Sequence, residues 1–176
     1  ERPAEDAMTF KLPNSEFWLK SGALLAIAVT LGVLFQTRYR IGIDPQETLS
    51  MTDRVFLVDI KNRVVEKGAS YVFAVKNAEP VYEDGREMVK RVAGMPGDFV
   101  EINADFDITV NGQKVGKGFW HLQGQDPVFV RKHFTGSRLL GDDEYWMMGL
   151  SEKSFDSRYF GPVRSEQIRG KAYGIF

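Results

Sequence analysis

The sequence contains no cysteine, which excludes disulfides, thiolate metal sites and a cysteine nucleophile together. It leaves the redox compartment open, since a chain without cysteine is at home in either. Histidine is nearly as scarce. His121 and His133 stand twelve positions apart with no carboxylates arranged around them as in a zincin, so no metal ion is expected. Two such histidines allow a Ser-His-Asp triad without signposting one. Charge of one sign is not in excess either: 23 basic against 24 acidic residues give a net charge of −1, with no basic run or acidic tail. Nucleic-acid binding therefore has no electrostatic support. Beyond residue 40 long helical periodicity is missing, and there is no internal repeat or low-complexity linker. At 176 residues, 43% apolar and 27% charged, the chain fits one folded domain, or one domain with an anchor.

Residues 1–16 are polar, carry two prolines and read as an N-terminal arm. Glu1 is not an initiator Met, so the native N-terminus is expected to be missing or processed. Then follows an apolar run from Phe17 to Gln36 whose one charge is Lys20, near its start. At about 1.5 Å per residue this run matches a bilayer core of about 30 Å, and residues 17–37 are expected to form a transmembrane helix. Phe17 and Trp18 would anchor one rim, and Arg38, Tyr39 and Arg40 the other. A cleaved signal peptide would need small residues after the apolar core, and Phe35-Gln36-Thr37-Arg38 offers none. Charges on the two flanks nearly balance, so the charge rule leaves orientation open.

After Arg40 the texture changes to short runs rich in β-branched and aromatic residues: RVFLVDI, SYVFAV, EMVKRVAG, DFVEI, DITV, EYWMMG and KAYGIF. Gly, Asn, Asp and Pro punctuate them, and Asn111-Gly112 after DITV is a strong hairpin signal. A single helical turn is expected around Ser165 to Ile168. The domain over residues 38–176 should be mainly β, with many short strands and tight turns.

A serine nucleophile must lose its proton to a neighbouring base. Without a signposted histidine, a lysine can serve if burial holds it neutral. In EMVKRVAG, Met88, Lys90 and Val92 alternate onto one face and Val89, Arg91 and Ala93 onto the other, so one of Lys90 and Arg91 can point inward. Arginine stays protonated, so a base here would be Lys90. Alone, a Lys-Arg pair in a strand is usually a solvated edge, Ser50 is one loop serine among many, and Asp156 with Arg158 is an ordinary ion pair.

Combined, these residues resemble the type I signal peptidases, the membrane-bound Ser/Lys leader peptidases. Three blocks carry the resemblance. Thr48-Leu49-Ser50-Met51 precedes the strand RVFLVDI, Lys90-Arg91 runs into Gly94-Met95-Pro96-Gly97-Asp98, and Ser154-Phe155-Asp156-Ser157-Arg158-Tyr159-Phe160-Gly161 lies near the C-terminus. Gly170-Lys171-Ala172 matches the family's closing strand. The resemblance implies a coiled, partly open β-sheet fold behind one transmembrane helix. It implies Ser50 as nucleophile, Lys90 as general base and Ser154 as the hydroxyl orienting the lysine. Asp156 and Arg158 become a structural ion pair, and the Thr48 hydroxyl joins the Ser50 N–H in an oxyanion hole. Met51 and Met88, beside the catalytic pair, fall at the substrate-binding surface. No cofactor is implied. Where the family usually has Pro two residues after the Ser-Met pair, Thr52-Asp53 stands here, so a different local turn is expected.

The implied activity is that of a membrane-anchored serine endopeptidase, cleaving signal peptides from exported precursors after small residues. The implied partners are that precursor and the lipid bilayer. By the resemblance the catalytic domain lies on the outer face of the cytoplasmic membrane. Between the Pro-Gly-Asp turn and the third block there is room for one cap hairpin, around 103–140. That compactness is similar to the conjugative-transfer peptidases. A pilin precursor is thus one candidate substrate, with a linear or a cyclised product. The competing reading is a catalytically silent scaffold subunit of a secretion or pilus apparatus; a self-cleaving repressor-type protease is disfavoured by the membrane helix.

Overall fold

The computed structural model describes residues 14–44 and 50–176. The arm up to residue 13 and Thr48 lie outside the described residues. After Thr37 the chain separates into two compact units. The first is α1 (Ser15–Gln36), begun by Asn14, whose side-chain oxygen accepts from the Phe17 N–H at 3.0 Å. None of its side chains is buried, and apolar residues such as Leu24, Leu25, Ile27 and Leu31 stand exposed all round. In water such a surface would be unstable, whereas about 33 Å of apolar helix matches a bilayer core. Among the described residues it is the one helix long and apolar enough to cross a membrane. The Thr30 hydroxyl donates to the Ala26 carbonyl at 2.8 Å, so it needs no partner from lipid.

In chain order the second unit contains β1 (Tyr39–Ile43), β2 (Val55–Asp59), β3 (Ser70–Ala74), β4 (Glu87–Gly94), β5 (Phe99–Ile102), β6 (Asp107–Val110) and β7 (Gln113–Lys117). They are followed by α2 (Pro127–Phe134), β8 (Gly136–Leu139), β9 (Glu144–Met148), α3 (Ser157–Phe160), β10 (Val163–Arg164) and β11 (Ile168–Gly174). Among the described residues the strands form two open, antiparallel sheets. One runs β1-β2-β11-β3-β4-β9-β10 and the other β7-β6-β5-β8. The sheet-rich, open fold behind one apolar helix agrees with the expectation from sequence.

The joint between the sheets is the Pro96-Gly97-Asp98 turn, where Gly97 takes φ +81°. Asp98 holds it from both sides, accepting from the Met95 N–H at 2.9 Å, Lys67 at 2.8 Å and Asn111 Nδ2 at 2.7 Å. Three apolar clusters result. One lies under the second sheet around Ile108, Val110, Phe119 and Trp146. Another gathers Tyr71, Phe73, Met147 and Ile168. The smallest is built from Met51, Phe56, Val58, Val72 and Ala172.

Two expectations need correction. The stretch read as one cap hairpin carries the expected turn, with Asn111 and Gly112 both at positive φ, but β5 and then β8 add beside β6 to make four strands. β5 pairs with β8 across an intervening hairpin and helix, a contact that local pattern cannot reveal. Helical structure beyond residue 40 is also more than one turn. α2 is an eight-residue helix capped by the Asp126 carboxylate, with Pro127 in its first turn. Arg38, Tyr39 and Arg40 belong to the β unit. Arg38 bonds the buried Asp59 carboxylate at 2.9 Å, which holds that carboxyl below its ordinary range, and Tyr39 opens β1.

Candidate active site

Of the adjacent Lys90 and Arg91 on β4, Lys90 is buried at 4% exposure and Arg91 is exposed. Lys90 Nζ donates to Ser50 Oγ at 2.6 Å. Burial is the main force on the amine and brings its pKa down from 10.5 to about 8; the charges of Asp156 and Asp44 oppose that, and Arg158 adds to it. Ser50, itself buried, is pinned by its backbone, since its carbonyl accepts from the Leu150 N–H at 2.7 Å. The segment that carries Ser50 is thus tied to the chain leaving β9.

Gly149 is indispensable at that junction. A side chain there would collide with the Ser154 hydroxyl and approach the Ser50 carbonyl to 3.0 Å. Ser154 is 2% exposed, and its hydroxyl makes no hydrogen bond among the described residues. The expected bond from Ser154 to Lys90 is therefore not formed in this geometry, where Lys90 is bonded to Ser50.

Behind the pair lies a buried clamp. Arg158 Nε donates to Asp156 Oδ1 at 2.7 Å and Nη2 to Oδ2 at 2.9 Å. Asp156 also accepts from the Gly149 N–H at 2.9 Å and caps α3. Arg158 Nη1 reaches the carbonyls of Lys117, Gly118 and Glu152 at 3.0–3.3 Å, so one guanidinium joins the end of β7 to the active segment.

Ser50 and Lys90 border a groove of about 210 Å³. Phe56, Val58, Val72, Met88 and Val89 supply its apolar lining. Its long walls are β1 and the start of β4. The Asp44 N–H donates to the Arg54 carbonyl and the Ile60 N–H to the Arg38 carbonyl. By ladder alternation, Ile41 and Ile43 then direct backbone groups off the outer edge of β1. β9 pairs with β4 only from Arg91 onward, and the Val75 N–H donates to the Arg86 carbonyl, so Glu87 and Val89 are the unpaired backbone positions facing the groove. Among the described residues no strand occupies either edge. Met88 lines this groove. Met51 does not, being 7% exposed within the smallest core cluster.

The histidines are engaged elsewhere. His121 Nε2 is bonded to the Lys153 carbonyl at 2.9 Å and His133 Nδ1 to that of Phe129 at 2.8 Å. Among the described residues, no three His, Asp or Glu side chains converge as a metal ion would require. Sequence reasoning missed the groove-lining residues of β1, because Arg38-Tyr39-Arg40 was read as a set of interfacial anchors rather than as the start of a strand. The alternation Arg40-Gly42-Asp44 was the signal that could have found them.

Comparison with known proteins gives one consistent result. The family described as "Signal peptidase, peptidase S26" matches residues 16–176. The probable signal peptidase I-2 of Synechocystis sp. is 27% identical over 172 residues, covering 93% of this chain and 75% of its own. Signal peptidase I of Bacillus licheniformis is 29% identical over 93% of this chain and 89% of its own. Signal peptidase IB of Staphylococcus aureus (strain COL) is 30% identical over 84% of each.

Proposed function

The chain belongs to the signal peptidase (peptidase S26) family, and from that premise we propose that it cleaves signal peptides with Ser50 as nucleophile and Lys90 as general base. Membership makes it a serine peptidase of precursor proteins, carried on a membrane helix. The observation that supports the dyad is the 2.6 Å contact from Lys90 Nζ to Ser50 Oγ, with an amine brought near neutral pH by burial. In its uncharged form Lys90 accepts the Ser50 proton while Oγ attacks the scissile carbonyl. The proton then passes to the departing amine as the C–N bond breaks, leaving an ester on Ser50. Water gives its proton to Lys90, attacks the ester carbonyl and releases the acid, restoring the Ser50 hydroxyl.

An extended precursor adding to the open edges of β1 and β4 would present its carbonyl to Ser50 by backbone pairing. The apolar lining suits small side chains near the cut. The catalytic unit on the outer face of the cytoplasmic membrane completes this reading. A pilin precursor, with an amine replacing water to close a ring, rests on the chain's compactness alone. Mass spectrometry of a candidate pilin, co-expressed with and without this protein, tests it.

The pH profile tests the base. Only neutral Lys90 accepts a proton, so kcat/KM should rise with pH, about tenfold per unit below a midpoint near 8, and then level off. Asp44 favours the ammonium form, so Asp44→Asn should move the midpoint to lower pH. An acidic optimum would point to carboxylate chemistry, and a midpoint unmoved or raised in Asp44→Asn would remove Asp44 from the site.

Thr48 is the proposed second oxyanion donor beside the Ser50 N–H. Losing one such donor costs about 10²–10³ in turnover. Thr48→Val should therefore lower kcat by about that factor at nearly unchanged KM, while Thr48→Ser retains most activity. A Val variant as fast as the parent would require another donor.

A further inference from the structure

His121 bonds the peptide group from which Ser154 projects. Ser151 to Ser154 form a tight turn, in which the Ser154 N–H donates to the Ser151 carbonyl at 3.0 Å and the Lys153 N–H to Ser151 Oγ at 3.2 Å. The Lys153 carbonyl belongs to the same planar peptide as the Ser154 N–H and points the opposite way. It accepts from His121 Nε2 at 2.9 Å. A carbonyl only accepts, so Nε2 carries a proton there, in the neutral ring and in the imidazolium alike. Both ends of the peptide plane before Ser154 are thereby fixed. That leaves φ of Ser154 as the one backbone rotation able to swing its Cα–Cβ bond.

The anchor is itself held. His121 lies in the 3-10 turn Trp120–Leu122, between β7 and α2. Its backbone N–H donates to the Tyr159 hydroxyl at 3.2 Å, and its ring stands edge-on to Phe155 and Tyr159, with centroids at 5.6 and 5.4 Å. Lys153 Nζ lies over the Trp120 ring at 4.5 Å, and Arg158 holds the Glu152 carbonyl from within. The residues on both sides of Ser154 are therefore gripped, while its own hydroxyl is buried and unbonded among the described residues. Lys90 is bonded to Ser50. A small rotation at Ser154 decides whether its hydroxyl also serves the amine.

Resting on the reading of Ser50 and Lys90 as the catalytic pair and of Ser154 as the hydroxyl that orients the lysine, we propose that His121 is a positioning residue, aiming Ser154 through the Lys153 carbonyl. The test is steady-state kinetics of the full chain in detergent on one quenched peptide, with rates referred to folded protein. His121→Phe keeps a ring against Phe155 and Tyr159 and loses the donor. His121→Gln keeps a donor near the place of Nε2 and loses the ring. His121 stands at the surface, where water competes for the bond. In His121→Phe kcat should thus fall about threefold to tenfold at nearly unchanged KM, and His121→Gln should recover most of that loss. Ser154→Ala should be slower than the parent, and adding His121→Phe to it should cost nothing further. The parent rate in His121→Phe or in Ser154→Ala, or an equal loss from His121→Phe with and without Ser154, would overturn the positioning role. Equal losses in the Phe and Gln variants would reduce the contact to packing and overturn it as well. Absence of Ser50-dependent cleavage of any peptide by the parent would overturn the peptidase reading itself.

Discussion

Lys90→Met should abolish cleavage and yet give a more stable protein. Loss of either member of a nucleophile–base pair costs about 10⁴-fold or more in kcat, so Ser50→Ala, Lys90→Ala and Lys90→Met should all be inactive on a peptide that the parent cleaves. Stability should move in the opposite direction. The folded-state pKa of Lys90, about 8, lies below the 10.5 of an exposed lysine. Below about pH 8 both states carry the proton, and the native state bears the whole cost of a buried ammonium, about 3 kcal/mol. Between about 8 and 10.5 only the unfolded chain binds the proton, so that cost shrinks as pH rises. Above 10.5 neither state binds it and the cost is gone. Methionine is uncharged, fills a similar volume and loses only the bond to Ser50. Lys90→Met should thus be about 2–3 kcal/mol more stable than the parent at pH 7, with the advantage fading by pH 10. Thermal melts of the solubilised chain at the two values measure this. A lower melting temperature at pH 7 would mean that the hydrogen bond to Ser50 outweighs burial. Lys90→Arg should be both inactive and destabilised, because its guanidinium has no neutral form to adopt.

That opposition explains what the sequence could and could not reveal. Alternation in EMVKRVAG made one of Lys90 and Arg91 inward, and the buried one is Lys90, so the inward lysine was legible from a strand of eight residues. Ser50 was not legible alone. Its meeting with Lys90 depends on a bond from its carbonyl to Leu150, a hundred residues along the chain, and only the three family blocks stood in for that contact. The same division runs through the fold. β4 and β6 match their sequence runs residue for residue, because period-two patterning and turn residues are local signals. β8 was missed because Gly136-Ser137-Arg138-Leu139 is exposed throughout and takes its place by pairing with β5, far away in sequence. α2 carried a readable start, Asp126 before Pro127, but its apolar residues Val128 and Phe129 face outward and mask the helical period. β1 was hidden by context, since basic and aromatic residues after an apolar helix satisfy the rule for interfacial anchors equally well. Met51 shows the limit of transferring a role by adjacency. It neighbours Ser50 in sequence and turns into the core.

Breaking the Asp156–Arg158 pair should have the largest structural consequence, and the two ways of breaking it should be distinguishable at Lys90. Both side chains are almost wholly buried, at 0% and 4% exposure. Arg158→Met leaves an anion in the interior, frees the carbonyls of Lys117, Gly118 and Glu152, and should cost about 3–5 kcal/mol. Asp156→Asn leaves the cation unpaired and should cost a similar amount. The double variant Asp156→Asn/Arg158→Met should be no worse than the poorer single, since the residual charge is gone, but it still lacks donors for the three carbonyls. A purely structural role predicts only these losses of melting temperature. The electrostatics predict more, because Asp156 raises the Lys90 pKa and Arg158 lowers it. In protein kept folded at low temperature, the midpoint of the pH–rate profile should rise in Arg158→Met, where the anion acts unopposed. It should fall in Asp156→Asn, where the cation does. Shifts in the same direction in both variants would mean that the pair reaches Lys90 only by holding its geometry. Opposite shifts would mean that Asp156 and Arg158 tune, on top of burial, the pH at which Lys90 becomes a base.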